Sequence, residues 1–301
     1  MALNPTVNMT TSSSSSKSLK KDFAGRQLRN AIAYGITLVV TLLALALLAY
    51  LLIYLLIHGT GAINWDFVTK EPTALGEEGG GIAPSLVGTG TLVLLSMIVG
   101  VPFGIGFGIY LSEYATNSWF SRMARIAINT FIGVPSIIAG IFVYFVLVKP
   151  MGNFSAIAGG AALGIIMIPI LARTAEDVLQ LVPNSIREAG LALGVPRWRV
   201  ILTLVIPAAR GGLITGGVLA IARVAGETAP LILTALGNEF FAGSLFEPID
   251  EITLRILKYA RGPYDIWHEQ AYGAALLLVV GVALGSLLLR LTTRGQRIKA
   301  Q

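Results

Sequence analysis

The sequence predicts an all-α integral membrane protein with six transmembrane helices and a polar cytoplasmic loop between the fourth and fifth. Three observations carry this. Hydrophobic residues make up 54% of the chain and charged residues only 13%, against roughly 25% charged in soluble domains. The apolar residues gather into runs long enough to cross a hydrocarbon core of ~30 Å. Finally, the 22 Lys and Arg are shared unevenly between alternate connections: 16 fall with the two termini and the long polar loop, 5 fall on the opposite side, and Arg223 lies inside a span. Positive residues are retained on the cytoplasmic side, so both termini and the loop are expected there. The net charge of +6 therefore reflects topology and does not point to nucleic acid.

Taken in order, residues 1–27 carry a serine run followed by Lys17, Lys20, Lys21 and Arg26. They have no apolar periodicity and are expected to be an irregular cytoplasmic tail. Residues 28–301 read as one membrane domain. Its spans are expected at about 31–56, 86–111, 127–148, 154–172, 208–236 and 271–291. In the second span Gly100, Gly104 and Gly108 recur every fourth residue, which lets another helix approach closely. The Gly104-x-Gly106-x-Gly108 cluster lacks the strand and acidic residue of a dinucleotide site. Gly133-Val134-Pro135-Ser136 predicts a kink in the third span. Gly160 and Gly164 repeat the small-residue spacing in the fourth, Arg173 marks its exit, and Thr174 and Asp177 suggest a capping box that starts a new helix. The segment 237–271, with Phe240, Phe241, Tyr264 and Trp267, reads as a structured external loop with an interfacial helix.

The loop at about 173–207 and the span after it hold the informative residues. Ser185 and Glu188 have capping-box spacing, Gly194 is placed to end that helix, and Pro196 starts a second short one through Trp198 to Leu204. After Pro207, Gly212, Gly216, Leu219, Ala220, Arg223, Gly226 and Glu227 share one helical face, while Ile214, Val218, Ile221 and Ile232 lie opposite, suited to lipid. A charge near a bilayer centre costs at least ~2.5 kcal/mol, so Arg223 and Glu227, spaced i and i+4, are candidates for a substrate path. An internal ion pair that locks the helix to a neighbour is the other reading. Thr228, next along the chain, is grouped with them.

Several chemistries are excluded. There is no cysteine, and His58 and His268 are isolated, so no metal cluster forms. No lysine follows a glycine, which removes a phosphate-binding P-loop, and neither a G-x-S-x-G elbow nor paired intramembrane carboxylates occur. The chain is not expected to be an enzyme or to bind a cofactor.

Glu188-Ala189-Gly190, Gly194, Leu204, Ile206 and Pro207 resemble, at matching spacings, the cytoplasmic loop of ABC-importer membrane subunits. Gly190 stands where the family has alanine. The resemblance implies a coupling helix that seats in a separate ATPase subunit, with Glu188, Ala189, Gly190 and Gly194 in the docking loop. The stretches from Gly133, Pro169 and Ile221 look more specifically like permease subunits of the bacterial phosphate importer, the PstA type above all. That resemblance implies translocation of inorganic phosphate and a second homologous permease. It also implies a dimer of ATP-binding subunits that use ATP and Mg, and an external phosphate-binding protein. Permeases for sulfate, molybdate or phosphonate, and a non-transporting sensor or scaffold, are the alternatives.

Overall fold

The computed structural model describes residues 12–294 apart from 75–76, 78 and 116–117; the ends of both tails lie outside the described residues. The chain divides at Leu56 into two units. The first is the greater part of α1 (Ser12–Gly59). This helix begins well inside the tail expected to be irregular, because extending an existing helix adds a hydrogen bond per residue and needs no new nucleus. Its apolar side chains stand exposed through the span, as at Val39 (65%) and Leu47 (63%), which is a surface for lipid. The packed body expected from residue 28 starts only at Ile57.

The second unit runs through α2 (Trp65–Thr69), α3 (Ala83–Tyr114), α4 (Trp119–Gly133), α5 (Ser136–Met151), α6 (Ala156–Gln180) and α7 (Asn184–Ala192). It continues through α8 (Arg197–Val224), α9 (Ala229–Ile232), α10 (Ile252–Ala260) and α11 (Asp265–Arg294). Among the described residues, five helices are long and apolar enough to cross a membrane, and the α4–α5 pair, bent by 101°, makes a sixth span if taken as one. The expected kink in the third span is thus a full break. Val134 and Pro135 are both extended, since the residue before proline is driven out of the helical region and proline donates no N–H.

The core lies where α3, α6 and α8 meet, with Leu92, Leu163, Met167, Leu171, Ala220 and Val224 packed together. Lipid tails are as apolar as leucine, so close packing rather than the hydrophobic effect must hold such a pair together. The glycines permit it. A Cβ on Gly104 would stand 3.0 Å from the Ile168 carbonyl oxygen, and one on Gly108 2.7 Å from that of Ala172. In the opposite direction Gly160 receives Leu95 and Gly164 receives Val99.

Of the helices that continue through a proline, two do so behind a widened turn. In α5 the Lys149 N–H reaches back to the Tyr144 carbonyl, and in α8 the Ile206 N–H reaches back to Ile201. Each is a wider π turn ending just before an X–Pro, at Pro150 and Pro207. The widened turn moves the carbonyls that a proline ring would otherwise strike. The short helix expected from Pro196 to Leu204 is therefore the first part of α8.

Other boundaries differ from expectation. The fourth span does not stop at Ala172: α6 continues to Gln180. Thr174 and Asp177 sit inside it, the Thr174 hydroxyl donating to the Ile170 carbonyl and Asp177 pairing with Arg173 at 3.1 Å. Ion pairs one turn apart support a helix through its polar end, and the actual cap is Ser155, which accepts from the Ala158 N–H. The fifth span stops at Val224 rather than 236, because Gly226 and the Ala229–Pro230 bond follow. On α8 the small face packs against α6 at Gly212 and Gly216. The face expected to meet lipid is shared: Ile214 is exposed, but Val218 is buried and lines a groove with Leu277 and Gly281 of α11. The 237–271 segment holds α10, whose Ile252, Thr253, Leu254, Arg255 and Tyr259 are buried against the bundle.

Candidate functional site

Helix α8 ends in a tightened turn. The Gly226 N–H bonds to the Arg223 carbonyl and the Glu227 N–H to that of Val224. Thr228 then leads into α9, whose Pro230 lies so close to α5 that a Cβ on Gly140 would stand 2.6 Å from its Cα. The Glu227 carbonyl oxygen is 3.3 Å from the Thr253 hydroxyl of α10. A non-helical stretch deep in a bundle leaves backbone groups needing partners, and such segments survive where they line a cavity or are buried in protein.

The structure brings two of the predicted pathway residues, Arg223 and Glu227, together here, with Thr228 next along the backbone. Arg223 Nε lies 3.7 Å from Glu227 Oε1, with the arginine side chain 54% exposed and the glutamate 15%. That separation is an ion pair but not a hydrogen bond, so the planar donors of the guanidinium are unspent. Arg223 reaches a cavity of about 360 Å³ whose remaining wall is almost wholly apolar, formed by the α4–α5 break at Val134, Pro135 and Ser136 and by Ile166, Pro169 and Ile170 of α6. A single cation in an apolar hollow beside two broken helices can take a planar or tetrahedral anion through paired N–H donors. Thr228 is half-buried at the head of α9, and its side chain caps nothing.

The loop expected to dock is built differently from the capping box expected of it. Helix α7 begins at Asn184, after Pro183, with no side-chain cap. Pro183 takes the N-cap position, so the helix starts two residues early and Ser185 lies inside it. Glu188 and Ala189 are exposed, whereas Gly190 is buried, where a Cβ would stand 2.8 Å from Val200 and 3.0 Å from Leu204. Gly194 adopts φ +75°, the left-handed turn that ends a helix and that only glycine enters freely. Around these residues Leu191, Leu193 and Trp198 are exposed, an apolar surface on an otherwise polar loop.

One cluster escaped the sequence. Glu113, at the end of α3 and only 2% exposed, accepts two hydrogen bonds from Arg187 of α7, Nε to Oε2 at 3.0 Å and Nη2 to Oε1 at 2.7 Å. The same guanidinium donates to the carbonyls of Leu179 and Val182 at the end of α6, and the hydrogen bond to Glu113 is the main cause raising its pKa further. Arg197 donates to the Glu113 backbone carbonyl. Nearby, Arg125 of α4 donates to Glu176 at 2.6 Å and to the Leu111 carbonyl. Two arginines thus bind the ends of α3, α4, α6 and α7 into one joint. A buried acid at the end of an apolar run was its only trace, and no local spacing links it to a residue 74 positions away.

A bundle with a charged gap between broken helices at one level, and a rigidly mounted polar loop at one end, has the layout of a transporter's membrane subunit. The chain belongs to the family described as the binding-protein-dependent transport system inner membrane component, which residues 100–297 match; it is a multi-pass inner-membrane transport subunit and not an enzyme. It is 37% identical over 285 residues to the phosphate transport system permease protein PstA of Yersinia pestis, covering 95% of this chain and 97% of the relative. The PstA of Xylella fastidiosa is 40% identical, with 87% and 91% covered. Among solved structures, the inward-facing MetNI methionine ABC transporter superposes with a TM-score of 0.58 at 19% identity, covering 71% of this chain and 93% of that one, which bears on the fold alone.

Proposed function

We propose that this chain is the permease subunit of an ATP-driven importer that carries inorganic phosphate across the inner membrane. The observation that carries the reading is Arg223: an exposed guanidinium, loosely paired, at an apolar cavity between two helix breaks. A charge there is costly, and an oxyanion offers it what Glu227 at 3.7 Å does not, a close bidentate partner. Glu227 accepts from the P–OH of protonated phosphate, a proton that sulfate lacks at neutral pH. Thr228 offers a hydroxyl beside it. The names of the relatives from Yersinia pestis and Xylella fastidiosa favour the same substrate.

In this reading the exposed face of α7, with Glu188, Ala189, Leu191 and Leu193, docks on a dimer of ATP-binding subunits, which use ATP and Mg; this chain binds no cofactor. A second, homologous permease completes the pathway, and an external phosphate-binding protein delivers the anion. Both termini and the α7 loop are cytoplasmic, consistent with the positions of Lys and Arg.

The test is uptake of labelled phosphate by vesicles holding the whole complex, with and without ATP. Arg223→Gln should abolish ATP-dependent uptake while the complex still assembles. If the pair served only to neutralise itself, Arg223→Gln/Glu227→Gln would restore transport by removing both charges. Little recovery is expected, and near-normal uptake by the double variant would rule out the substrate role.

A further inference from the structure

At the end of the bundle opposite the docking loop, Arg255 and Lys258 of α10 and Arg261, the residue that caps it, spaced i, i+3 and i+6, line a second cavity of about 310 Å³. Arg255 is 1% exposed. Its Nε and Nη2 lie 2.8 and 2.6 Å from Asp250 Oδ2, Nη2 also reaches the Asn238 carbonyl, and Ser85 of α3 donates to the same carboxylate. Its Nη1, fully buried, makes no hydrogen bond; the nearest acid is Glu239, 3.5 Å away. Glu239 also accepts from Lys258.

The two acids on this cluster are not equivalent. Asp250 is buried and belongs to the frame, whereas the Glu239 side chain is 44% exposed and sits on the segment between α9 and α10. Lys258, foremost, holds the Glu239 carboxyl below its ordinary pKa, so it is an anion resting against two cations. Arg261 adds a third cation at the cavity wall. A buried guanidinium nitrogen without a hydrogen bond is costly, and a removable carboxylate occupies the place where a better acceptor would satisfy it. The cavity has room for a tetrahedral oxyanion with several waters.

We infer that Arg255, Lys258 and Arg261 form a second oxyanion site, on the outer side of the subunit, in which an incoming phosphate displaces Glu239 before it moves to Arg223. The site rests on the proposed transport reading for its direction and substrate. The path between the two sites is short. Ile232, the last residue of α9, lines the outer cavity, and Thr228 at the head of the same four-residue helix adjoins Glu227. Helix α10 serves both, through Thr253 at the Glu227 carbonyl and Arg255 in the outer cavity.

The experiment measures equilibrium binding of labelled inorganic phosphate to the complete complex in nanodiscs, without the external binding protein or ATP, in an Arg223→Gln background that removes the inner site. Phosphate should still bind. Lys258→Gln/Arg261→Gln should weaken it roughly tenfold, through the loss of two charge-assisted contacts. Glu239→Gln should tighten it several-fold by removing the competitor. Arg255 is left unchanged because its loss would strand Asp250. Affinity that is the same in all three proteins, or no binding at all, would overturn the site. Sulfate is titrated in parallel, and phosphate import is measured separately with the complex that keeps Arg223: sulfate binding with this same dependence on Lys258 and Arg261, with no phosphate import by the Arg223-containing complex, would uphold the outer site and overturn the substrate reading. Normal phosphate import with binding indifferent to these residues would do the reverse.

Discussion

Arg187→Met is the most informative single change in the joint. It removes both donors to Glu113 and the two bonds to the Leu179 and Val182 carbonyls. Breaking a buried pair by deleting one partner costs about 3–5 kcal/mol, because the surviving charge is left unpaired. The side chains are 19% and 2% exposed, and Ser112 still donates to Glu113 at 3.3 Å, so about 2–4 kcal/mol is expected here. Adding Glu113→Gln removes the stranded charge and should recover most of that stability. It should not recover coupling, since the ties from α7 to the carbonyls of α6 remain cut. The assay is the ratio of phosphate imported to ATP hydrolysed by the reconstituted complex, read beside its thermal midpoint. The single variant should lower both; the double variant should regain the midpoint yet hydrolyse ATP with little uptake. A double variant with wild-type stoichiometry would show that the joint is merely structural.

Packing between α3 and α6 should fail selectively: Gly104→Leu, whose Cβ would stand 2.6 Å from that of Leu171, should cost about 1–3 kcal/mol or prevent assembly, whereas Gly106→Ala, with nothing within 4 Å, should be neutral or slightly stabilising in a thermal melt. Glu251 caps α10 from a buried position, and desolvation raises its carboxyl from 4.5 to about 7. The folded state therefore holds a proton that the unfolded state has lost between those values, and stability should fall as pH rises across that window, by about 3 kcal/mol at 1.36 kcal/mol per unit. Thermal midpoints of the complex from pH 4.5 to 8 should show this decline, and Glu251→Gln should flatten it. For topology, a tag after Gln301 should be reachable only from the cytoplasm and one at Glu78 only from outside; an externally labelled C-terminus would defeat the assigned orientation.

What the sequence made legible were features that solvent dictates locally. An apolar run in a charge-poor chain must span lipid, and an arginine inside such a run must have a reason, so the spans and the Arg223–Glu227 pair could be read from position alone. The Gly100, Gly104 and Gly108 ladder was legible for the same reason, because only close packing rewards that spacing. Hydropathy could not distinguish the polar end of α6 from a loop, since Arg173 and Asp177 satisfy each other along the helix and look the same either way in composition. The Ser185–Glu188 spacing misled because Pro183 set the helix start first. Partners far apart in the chain, such as Glu113 with Arg187 or Ser85 with Asp250, leave no local pattern at all.

The placement of these distant pairs bears on where the subunit can move. Helix α3 is fastened at one end by Glu113 to Arg187 and at the other by Ser85 to Asp250 and Arg255. Between them its glycines interlock with α6, whose own end is held by Arg187 and Arg125. Displacing one of these helices against the other would expose buried charges at both ends and open the glycine contacts between, so α3 and α6 form the rigid frame. Less tightly fastened are the α4–α5 break at Val134–Pro135 and the α8–α9 break at Ala225–Thr228, the latter held only by the long Arg223–Glu227 pair and the Thr253 hydroxyl on the Glu227 carbonyl, so backbone torsions there can change without opening the buried ion pairs of the frame. Both breaks adjoin Arg223, one across the cavity and the other as its own continuation, and the helices that follow them, α5 and α9, touch where Gly140 meets Pro230. In the proposed transport reading, a load applied to α7 passes through this frame to the two segments that border Arg223, and a gate that exposes the site alternately to either side acts there.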